Sequence, residues 1–304
     1  MTPAGTARRV LFTAQKNEGP FILEWLALHK VVGFTRIIVF SNDCSDSSDD
    51  LLDVLDEAGE VAHFRQTAPG DVPPQLNAAR LALERGLFTP GDWVMWLDLD
   101  EYLYIRPGGH TLDDLLAEIG EADAVAFCWR IFGDGGNAVW PGRQISRRFT
   151  RASKKRFQAN SQTKTLFRYS EDIEALHVHR PVFRAGTDPE AYRIVHGGNR
   201  RLPPEYLHRR FRDGSPFHRV QGVSGRYSLG QVNHYAVRTR DMFARKMQRG
   251  NGLVSSDSST AFHLYHQSAA FFDRYNRNDV EEDSILALAG RLEPELRRLQ
   301  DLTT

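Results

Sequence analysis

The sequence of 304 residues has only two cysteines, Cys44 and Cys128, which stand far apart and form no CxxC pair. This scarcity excludes a CxxC redox or zinc motif and agrees with two free thiols in a reducing cytoplasm. No apolar stretch approaches the roughly 20 residues that a membrane span requires. The first residues, MTPAGTARRVLFTAQKNEG, do not have the pattern of a secretory signal. We therefore expect a cytoplasmic protein without a transmembrane segment.

Signatures of three ligand-binding classes are also missing. No GxxxxGK loop is present to hold phosphates, and GDGG at 133–136 has neither the spacing nor the position that a Rossmann dehydrogenase requires. No helix-turn-helix, zinc-finger or RNP-type pattern accompanies the basic residues. We therefore expect no nucleic-acid partner.

Charge is distributed unevenly along the chain. The whole sequence has 39 basic and 39 acidic residues, whereas the segment 140–250 has 24 basic and 8 acidic ones. Either this segment meets an anionic partner, such as a nucleotide diphosphate, an acidic sugar or a lipid, or its charges pair with the acidic remainder across the fold. The first interpretation leaves open a peripheral contact with an anionic membrane or polymer.

The first 130 residues alternate between short apolar strands and amphipathic helices. The patterns predict strands at 9–14, 36–40, 61–65, 93–97 and 124–130, and helices at 19–33, 49–59, 73–86 and 111–120. Strands that alternate with helices of this length are typical of a mostly parallel sheet covered by helices, with right-handed crossovers. The sequence thus predicts an α/β fold.

After residue 131 the regular alternation gives way to loops rich in Gly, Arg and Pro. A short strand is predicted at 164–169, and helices are predicted at 239–250, 260–275 and 281–299. We interpret the chain as one continuous domain whose sheet forms early, whose substrate loops come late, and which ends in a helical tail.

The segment WVMWLDLDEYLYI at 93–105 places three carboxylates directly after an apolar strand. Ligands of open α/β sheets bind outside the carboxyl ends of the strands, so Asp98 and Asp100 lie where a ligand is expected. Side chains two residues apart in an extended segment point the same way, and two carboxylates suit Mg²⁺ or Mn²⁺ together with substrate phosphates. The competing interpretation is a pair of turn aspartates.

Four segments, taken in order, resemble one known family. KNEGPFILEWLALHKVVGFTRIIVFSNDCSD, WLDLDEYL, KTLF and VNHYAVRTRDMFARKMQRG are similar to family-2-type glycosyltransferases with the GT-A fold, and in particular to the bacterial branch related to family 92. The resemblance covers about residues 10–252. It implies a nucleotide-sugar donor, with a UDP-sugar expected, a saccharide or glycan acceptor, and Mn²⁺ or Mg²⁺ as cofactor.

The resemblance also implies a division of the chain. A GT-A domain would occupy 1–252, with a donor half at about 8–130 and an acceptor half at about 131–252. A helical extension would follow at 253–304.

The resemblance assigns the DxD motif to the donor and its metal. Asp98 would face the donor's ribose or sugar and contribute to the metal site, while Asp100 would bind the metal. Asn17 and Glu18, in QKNEGP after the first strand, would grip the nucleotide. Turn and capping roles are the alternative for Asn17.

SNDCSD follows the second strand, where the family reads the base with an aspartate. Asp43 or Asp46 would take that role. Asn42 stands where two successive aspartates are common in the family. The base contact therefore stays open between the two residues, and ordinary turn chemistry is the alternative.

His234 in QVNHYAVR is the predicted third metal ligand, because a downstream histidine often completes such sites and neutral imidazole suits Mn²⁺. A hydrogen-bonded core histidine is the alternative, and HVH at 177–179 competes for the role. Lys246, with Arg245 and Arg249 on the same predicted helix, is expected to neutralise the leaving diphosphate, and a solvated helix face is the alternative for each of them.

The catalytic base is the least constrained assignment. SEDIE contains paired acids after the DxD motif, so Glu171 or Asp172 is predicted as the base on the acceptor side. WRIFGDGGNAVWPG at 129–142 is predicted as an acceptor loop, with Trp129 and Trp140 as sugar platforms or packing residues.

Two other functions remain as alternatives. A Mg²⁺-dependent phosphatase or phosphoryl-transfer enzyme would also place aspartates such as Asp98 and Asp100 after a strand, although Glu101 and Tyr102 follow here instead of the Thr or Gly that a haloacid-type phosphatase requires. The second alternative is a non-catalytic sugar-binding module.

Overall fold

The computed structural model describes residues 7–140, 142, 144–203, 206, 225–254 and 261–304. Ten of the strands in these ranges belong to one sheet, and two pairs form small separate ribbons. In chain order the strands are β1 Arg9–Gln15, β2 Arg36–Asn42, β3 Ala62–Gln66, β4 Trp93–Trp96, β5 Glu101–Ile105, β6 Ala124–Ile131, β7 Arg151–Ala152, β8 Thr163–Arg168, β9 Ile173–His177, β10 Arg180–Phe183, β11 Ile194–His196, β12 Arg200–Arg201, β13 Gly230–His234 and β14 Val280–Glu281.

Helices cover both sides of this sheet. In the described ranges they are α1 Gly19–Val32, α2 Ser48–Glu57, α3 Pro74–Glu84, α4 Leu112–Ile119, α5 Ile145–Arg148, α6 Arg240–Arg249, α7 Ala261–His266, α8 Ala269–Tyr275 and α9 Ala289–Leu302. No helix among the described residues has the length and apolar character needed to cross a bilayer.

The main sheet runs in the order β12, β11, β6, β8, β4, β1, β2, β3. β4, β1, β2 and β3 are parallel neighbours, so their carboxyl ends meet at one edge. β8 lies antiparallel between β4 and β6, and β13 continues from β6 to pair antiparallel with β5. The predicted α/β class with a mostly parallel central sheet is confirmed, and β8 is the inserted antiparallel strand.

Two helix boundaries follow from local chemistry that the sequence displays. α1 has Pro20 in its first turn, where a missing N–H costs nothing, and it stops at Gly33, which takes a left-handed φ of 112°. α4 begins with a capping box, in which Thr111 and Asp114 each accept from the other's backbone N–H.

The structure corrects several predicted elements. β4 ends at Trp96, and β5 was not predicted at all. The helix predicted at 260–275 begins outside the described residues, and its described part is divided into α7 and α8, with Ser268 capping the second piece. The helix predicted at 281–299 starts instead at Ala289, after a short strand and a 3₁₀ turn.

The helical tail shares the core of the rest of the chain. Leu292, Leu296 and Leu299 of α9 are buried in the same apolar cluster as Trp25 and Leu28 of α1. Burial of such leucines contributes about 2 kcal/mol each. The tail therefore stabilises the helix that supports the candidate site.

Candidate active site

The acids Asp98 and Asp100 lie in a tight turn between β4 and β5, at the carboxyl edge of the parallel strands. Glu101 N–H donates to the carbonyl of Asp98 at 2.9 Å, which closes the turn. The indole Nε1 of Trp25 donates to the carbonyls of Asp98 and Glu101 at 3.1 and 2.9 Å. The backbone N–H of Tyr235 donates to the Asp100 carbonyl at 2.8 Å. Contacts from α1 and from the end of β13 therefore fix the backbone of the turn.

The turn corrects the expectation that both carboxylates converge on one point. That expectation assumed an extended segment, whereas Asp98 and Asp100 sit in a turn and contact different partners. Asp98 accepts from Gln75 Nε2 at 2.8 Å and from Lys164 Nζ at 3.0 Å, so both of its oxygens have protein donors. The predicted contact of Asp98 with the nucleotide-sugar substrate stays a prediction.

Lys164 and Glu101 form a buried pair beneath Asp98. Lys164 Nζ lies 2.8 Å from Glu101 Oε2, and the side chains of both residues are almost fully buried. Burial raises the pKa of Glu101, while the two neighbouring carboxylates keep the pKa of Lys164 above its ordinary value although burial alone would lower it. Glu101 Oε2 also accepts from the backbone N–H of Asp98 at 2.8 Å. The pair thus supports the turn from below.

Asp100 faces two side chains from distant parts of the chain. Its Oδ1 lies 3.6 Å from His234 Nε2, and its Oδ2 lies 2.5 Å from the ammonium of Lys246 on α6. Burial alone would raise the pKa of Asp100, but Lys246 and His234 hold that pKa well below its usual range. Asp100 is therefore an anion at neutral pH.

His234 is positioned by strand register. Antiparallel pairing of β13 with β5 puts His234 opposite Glu101, which brings the ring to Asp100. The indole of Trp129 packs on the imidazole with ring centroids 4.1 Å apart. Burial lowers the pKa of His234 in spite of Asp100, so the neutral, metal-binding form is favoured.

The side chains of Asp100 and His234 fit a divalent cation held by two protein ligands. Asp100 Oδ1 and His234 Nε2 are too far apart for a hydrogen bond, but close enough to bind one cation at ordinary bond lengths. Among the residues that the structure describes, no three His, Cys, Asp or Glu side chains are grouped to hold a metal. The predicted set of Asp98, Asp100 and His234 is therefore assembled only as the pair Asp100 and His234.

Glu18 lies in a buried ion-pair network that links the loop after β1 to α6 and the residues before it. It accepts from Arg238 Nη1 at 2.8 Å and also pairs with Arg249 of α6. Arg238 donates through Nη2 to the carbonyl of Leu99 at 3.1 Å and lies over the ring of Phe21 at 3.6 Å. Burial would raise the pKa of Glu18, but the two arginines lower it. The carboxylate holds the turn and α6 together, and its predicted contact with the nucleotide stays a prediction.

Asn17, Asp43 and Asp46 lie on the loops after β1 and β2, at the same edge as the acidic turn. Asn17 exchanges hydrogen bonds with Ser45 at 2.7 and 3.0 Å, which joins the two loops. Asn17 and Asp43 both have left-handed φ angles, 52° and 46°. Positive φ in residues other than glycine costs energy and is concentrated at functional sites.

The two predicted base-reading aspartates differ in their surroundings. Asp46 accepts from the backbone N–H groups of Gly19 and Ser48, at the first residues of α1 and α2, both at 3.1 Å. Asp43 is exposed and accepts from the Thr67 hydroxyl at 2.9 Å. Asp46 thus caps two helices, Asp43 accepts from a side chain, and both residues are exposed.

Glu171 and Asp172 do not join this site. β8 runs antiparallel to β4 and pairs Arg168 with Trp93, so the residues that follow β8 lie beyond the amino end of β4. The acidic turn lies beyond the carboxyl end of the same strand. Both acids are exposed, and Asp172 accepts from the Tyr192 hydroxyl. The structure therefore does not bring either acid to the acidic turn, and the role of catalytic base stays a prediction for both.

The two tryptophans of the predicted acceptor loop are separated. Trp129 contacts His234, whereas Trp140 packs on Phe21 with ring centroids 5.0 Å apart. Trp140 lines a cavity of about 670 Å³ between α1, α9 and the chain around Gln144. Phe21 in turn lies under Arg238, which donates to the Leu99 carbonyl of the acidic turn.

Three residues of the site were not identified from the sequence, namely Trp25, Lys164 and Arg238. Lys164 is flanked by Thr163 and Thr165, so no apolar context marked it as buried, although buried lysines are rare unless they are paired. Trp25 and Arg238 looked like ordinary helix and loop residues. Only the tertiary structure shows that both donate hydrogen bonds to backbone carbonyls of the acidic turn.

Comparison with known proteins supports the resemblance to glycosyltransferase family 92. The chain is 26% identical over 144 residues to a family 92 protein of Oryza sativa subsp. japonica, covering 45% of this chain and 24% of the relative. It is 30% identical over 103 residues to a family 92 protein of Ricinus communis, covering 34% of this chain and 18% of the relative. The chain thus spans about a quarter or less of the length of these relatives. No family model matches the sequence.

Solved structures give only a weak likeness. TarS 1-349 of S. aureus is 14% identical, with a TM-score of 0.36, over 97% of this chain and 88% of that chain. The same protein in complex with UDP-GlcNAc has a TM-score of 0.32 over 50% of this chain and 38% of that chain. TM-scores of this size are too low to support an inference about function.

Proposed function

We propose that this protein is a metal-dependent glycosyltransferase that moves a sugar from a nucleotide-diphosphate donor, in the first place a UDP-sugar, to a hydroxyl of a saccharide or glycan. The observation that carries the proposal is the group formed by Asp100, His234 and Lys246 at the carboxyl edge of the sheet. It combines two metal-binding side chains with a cation for phosphate. The curated relatives are named as glycosyltransferases, which agrees with this chemistry.

Asp100 and His234 would hold Mn²⁺ or Mg²⁺. Two protein ligands are sufficient, because these cations usually keep waters and take further oxygens from substrate phosphates. When bound, the cation would act as a Lewis acid toward the departing diphosphate. His234 is suited to the role because its buried ring stays neutral, and the indole of Trp129 fixes the ring plane.

The remaining side chains bind and orient the donor. Lys246 would contact the diphosphate as a point charge, and the fixed positions of Asn17 and Asp43 would offer polar groups to the nucleoside. Asp98, held by Lys164, would keep one orientation toward the ribose or sugar. We assign no catalytic base, because Glu171 and Asp172 lie at the opposite end of β4.

A phosphoryl-transfer enzyme is less well supported. A nucleophilic aspartate needs an accessible carboxylate oxygen, whereas both oxygens of Asp98 accept from protein donors. Asp100 is 8% exposed and bound to Lys246. Asp98 thus has a protein donor on each oxygen, and the carboxylate of Asp100 is buried, so neither acid is placed to attack a phosphorus.

A ligand-dependent melting experiment tests the proposal. UDP and UDP-sugars are titrated with Mn²⁺, with Mg²⁺ and in EDTA, and release of UDP is followed with and without saccharide acceptors. A donor at 100 times its Kd should stabilise the protein by about 2.7 kcal/mol. Equal stabilisation in EDTA would contradict the metal, and no response to any nucleotide sugar would contradict the function.

A further inference from the structure

Lys246 contacts one oxygen of the Asp100 carboxylate, and the other oxygen faces His234. Its ammonium lies 2.5 Å from Asp100 Oδ2 and 3.0 Å from the carbonyl of Ala236. The Lys246 side chain is 30% exposed, whereas that of Asp100 is 8% exposed. The ammonium therefore enters from the open side and neutralises a carboxylate that is otherwise buried.

A divalent cation and this ammonium are in conflict at Asp100. Two positive groups on one carboxylate repel each other, and the repulsion is stronger in a partly buried site than in water. The lysine stem has four carbons and can move its charge by several ångströms. A diphosphate supplies oxygens that accept a charge-assisted hydrogen bond from the displaced ammonium.

We propose that Lys246 holds Asp100 before ligands bind, and that it moves onto the donor diphosphate when a divalent cation takes Asp100 and His234. This inference rests on the proposed function, because it requires both a cation and a diphosphate at the site. Without the nucleotide, the cation must displace Lys246 with no new partner for the ammonium. With the nucleotide, the same displacement is compensated.

The exchange makes binding of cation and nucleotide cooperative. Coupling between two ligands is reciprocal, so UDP should tighten Mn²⁺ binding by the same factor by which Mn²⁺ tightens UDP binding. We expect a factor of about 10 to 100 in the wild-type protein, within the usual range of such couplings. Lys246→Gln removes the competitor, so Mn²⁺ alone should bind more tightly, by roughly tenfold, while the coupling falls toward about twofold.

The measurement is the concentration of free Mn²⁺, read from its electron paramagnetic resonance signal, in titrations with and without UDP. The variants are Lys246→Gln and, as matched control, Arg240→Gln, which removes one positive charge from an exposed position on α6. Arg240→Gln should keep the wild-type affinity and coupling. Lys246→Arg keeps the charge and should keep weak binding of Mn²⁺ alone. The melting temperature of each apo variant checks that it is folded.

The outcomes separate this inference from the proposed function. If the wild-type protein binds neither Mn²⁺ nor UDP, the proposed function fails. If it binds both, and Lys246→Gln keeps the wild-type affinity for Mn²⁺ alone and the wild-type coupling, the exchange is wrong while the metal site stands. Weaker binding of Mn²⁺ alone to Lys246→Gln would likewise overturn the exchange, because it would mean that Lys246 supports the cation and does not compete with it.

Discussion

Two pairs of acids in this chain look alike in sequence and differ in the fold in their charged partners and in the edge of the sheet where they lie. Asp98 and Asp100 follow β4 at the carboxyl edge of the parallel strands, and each contacts a lysine ammonium. Glu171 and Asp172 precede β9 beyond the other end of β4, where both are exposed. A pair of carboxylates is therefore informative only together with its burial and its edge of the sheet.

The difference has an energetic meaning. A buried carboxylate is costly unless a partner compensates it, and a buried ion pair adds little net stability. The first pair lies among two lysines, a histidine and the Glu18–Arg238 ion pair. Apolar side chains in these positions would avoid the free-energy cost of burying charge. Such a charged arrangement is typical of a functional site, whereas exposed acids need no such explanation.

The largest expected difference between the two pairs is functional. Asp100→Asn keeps the size of the side chain but removes a full negative charge from the cation site, so Mn²⁺-dependent stabilisation by UDP should be lost. Transfer should fall by at least about 100-fold, because the departing diphosphate loses its Lewis acid. Asp172→Asn is the matched control and should keep both wild-type values in the same melting and UDP-release assays.

The melting temperatures of the apo proteins test whether Asp100 has a structural role. Asp100→Asn leaves Lys246 without its carboxylate, but this lysine is partly exposed and water can solvate its ammonium. A large drop in apo melting temperature with an undiminished response to Mn²⁺ and UDP would show that Asp100 has a structural role only.

The next effect concerns stability. Lys164→Met removes the charge that lies between Asp98 and Glu101 and leaves two carboxylates with no buried cation between them. Breaking a buried pair from one side costs about 3–5 kcal/mol of unfolding free energy, measured by urea denaturation. The control is Arg201→Met at the exposed pair with Glu190, where about 0.5 kcal/mol is expected. A loss below about 1 kcal/mol for Lys164→Met would contradict this view of the network.

A third effect is pH-dependent and lies directly beneath the acidic turn. His29 Nδ1 is 2.8 Å from the Trp25 carbonyl, and the Leu103 N–H donates to Nε2 at 3.2 Å, which fixes a neutral ring. Burial lowers the pKa of His29 from 6.5 to about 3. Below pH 6.5 the unfolded state therefore binds more protons than the folded state. The free energy of unfolding decreases as the pH is lowered from 6.5 to about 3.

The expected size follows from that shift. Between pH 6.5 and pH 5 the wild-type protein should lose about 2 kcal/mol more than His29→Gln, which keeps a donor and an acceptor but does not ionise. Urea denaturation at several pH values measures this difference. Parallel curves for the two proteins would show that His29 does not set the acid sensitivity.

The smallest effect is expected at the second acid pair. Tyr192→Phe removes the hydroxyl that donates to Asp172, and both groups are accessible to water. The unfolding free energy should change by less than about 1 kcal/mol, and transfer should not change. A large loss of transfer in this variant would return Glu171 and Asp172 to consideration as catalytic groups.

Local patterns were sufficient for the first half of the fold. Periodicity, Pro20, Gly33 and the Thr111–Asp114 box predicted α1 and α4 because each depends on residues within a few positions. β5 was missed because EYLYI follows the acids with no Gly or Pro between them and is buried along its whole length. Such a strand has no alternating pattern that separates it from the apolar run before it.

The sequence by itself determined that a buried strand ends in acids at the ligand-binding edge of an α/β sheet, since strand propensity and the rule for open sheets are local or topological. Only the tertiary structure decided which acid meets which partner. Lys246 reaches Asp100 from 146 residues away, and His234 arrives through the register of β13 on β5. Pairings at such separation depend on backbone hydrogen bonds between distant strands and on packing of the whole core, which no local pattern encodes.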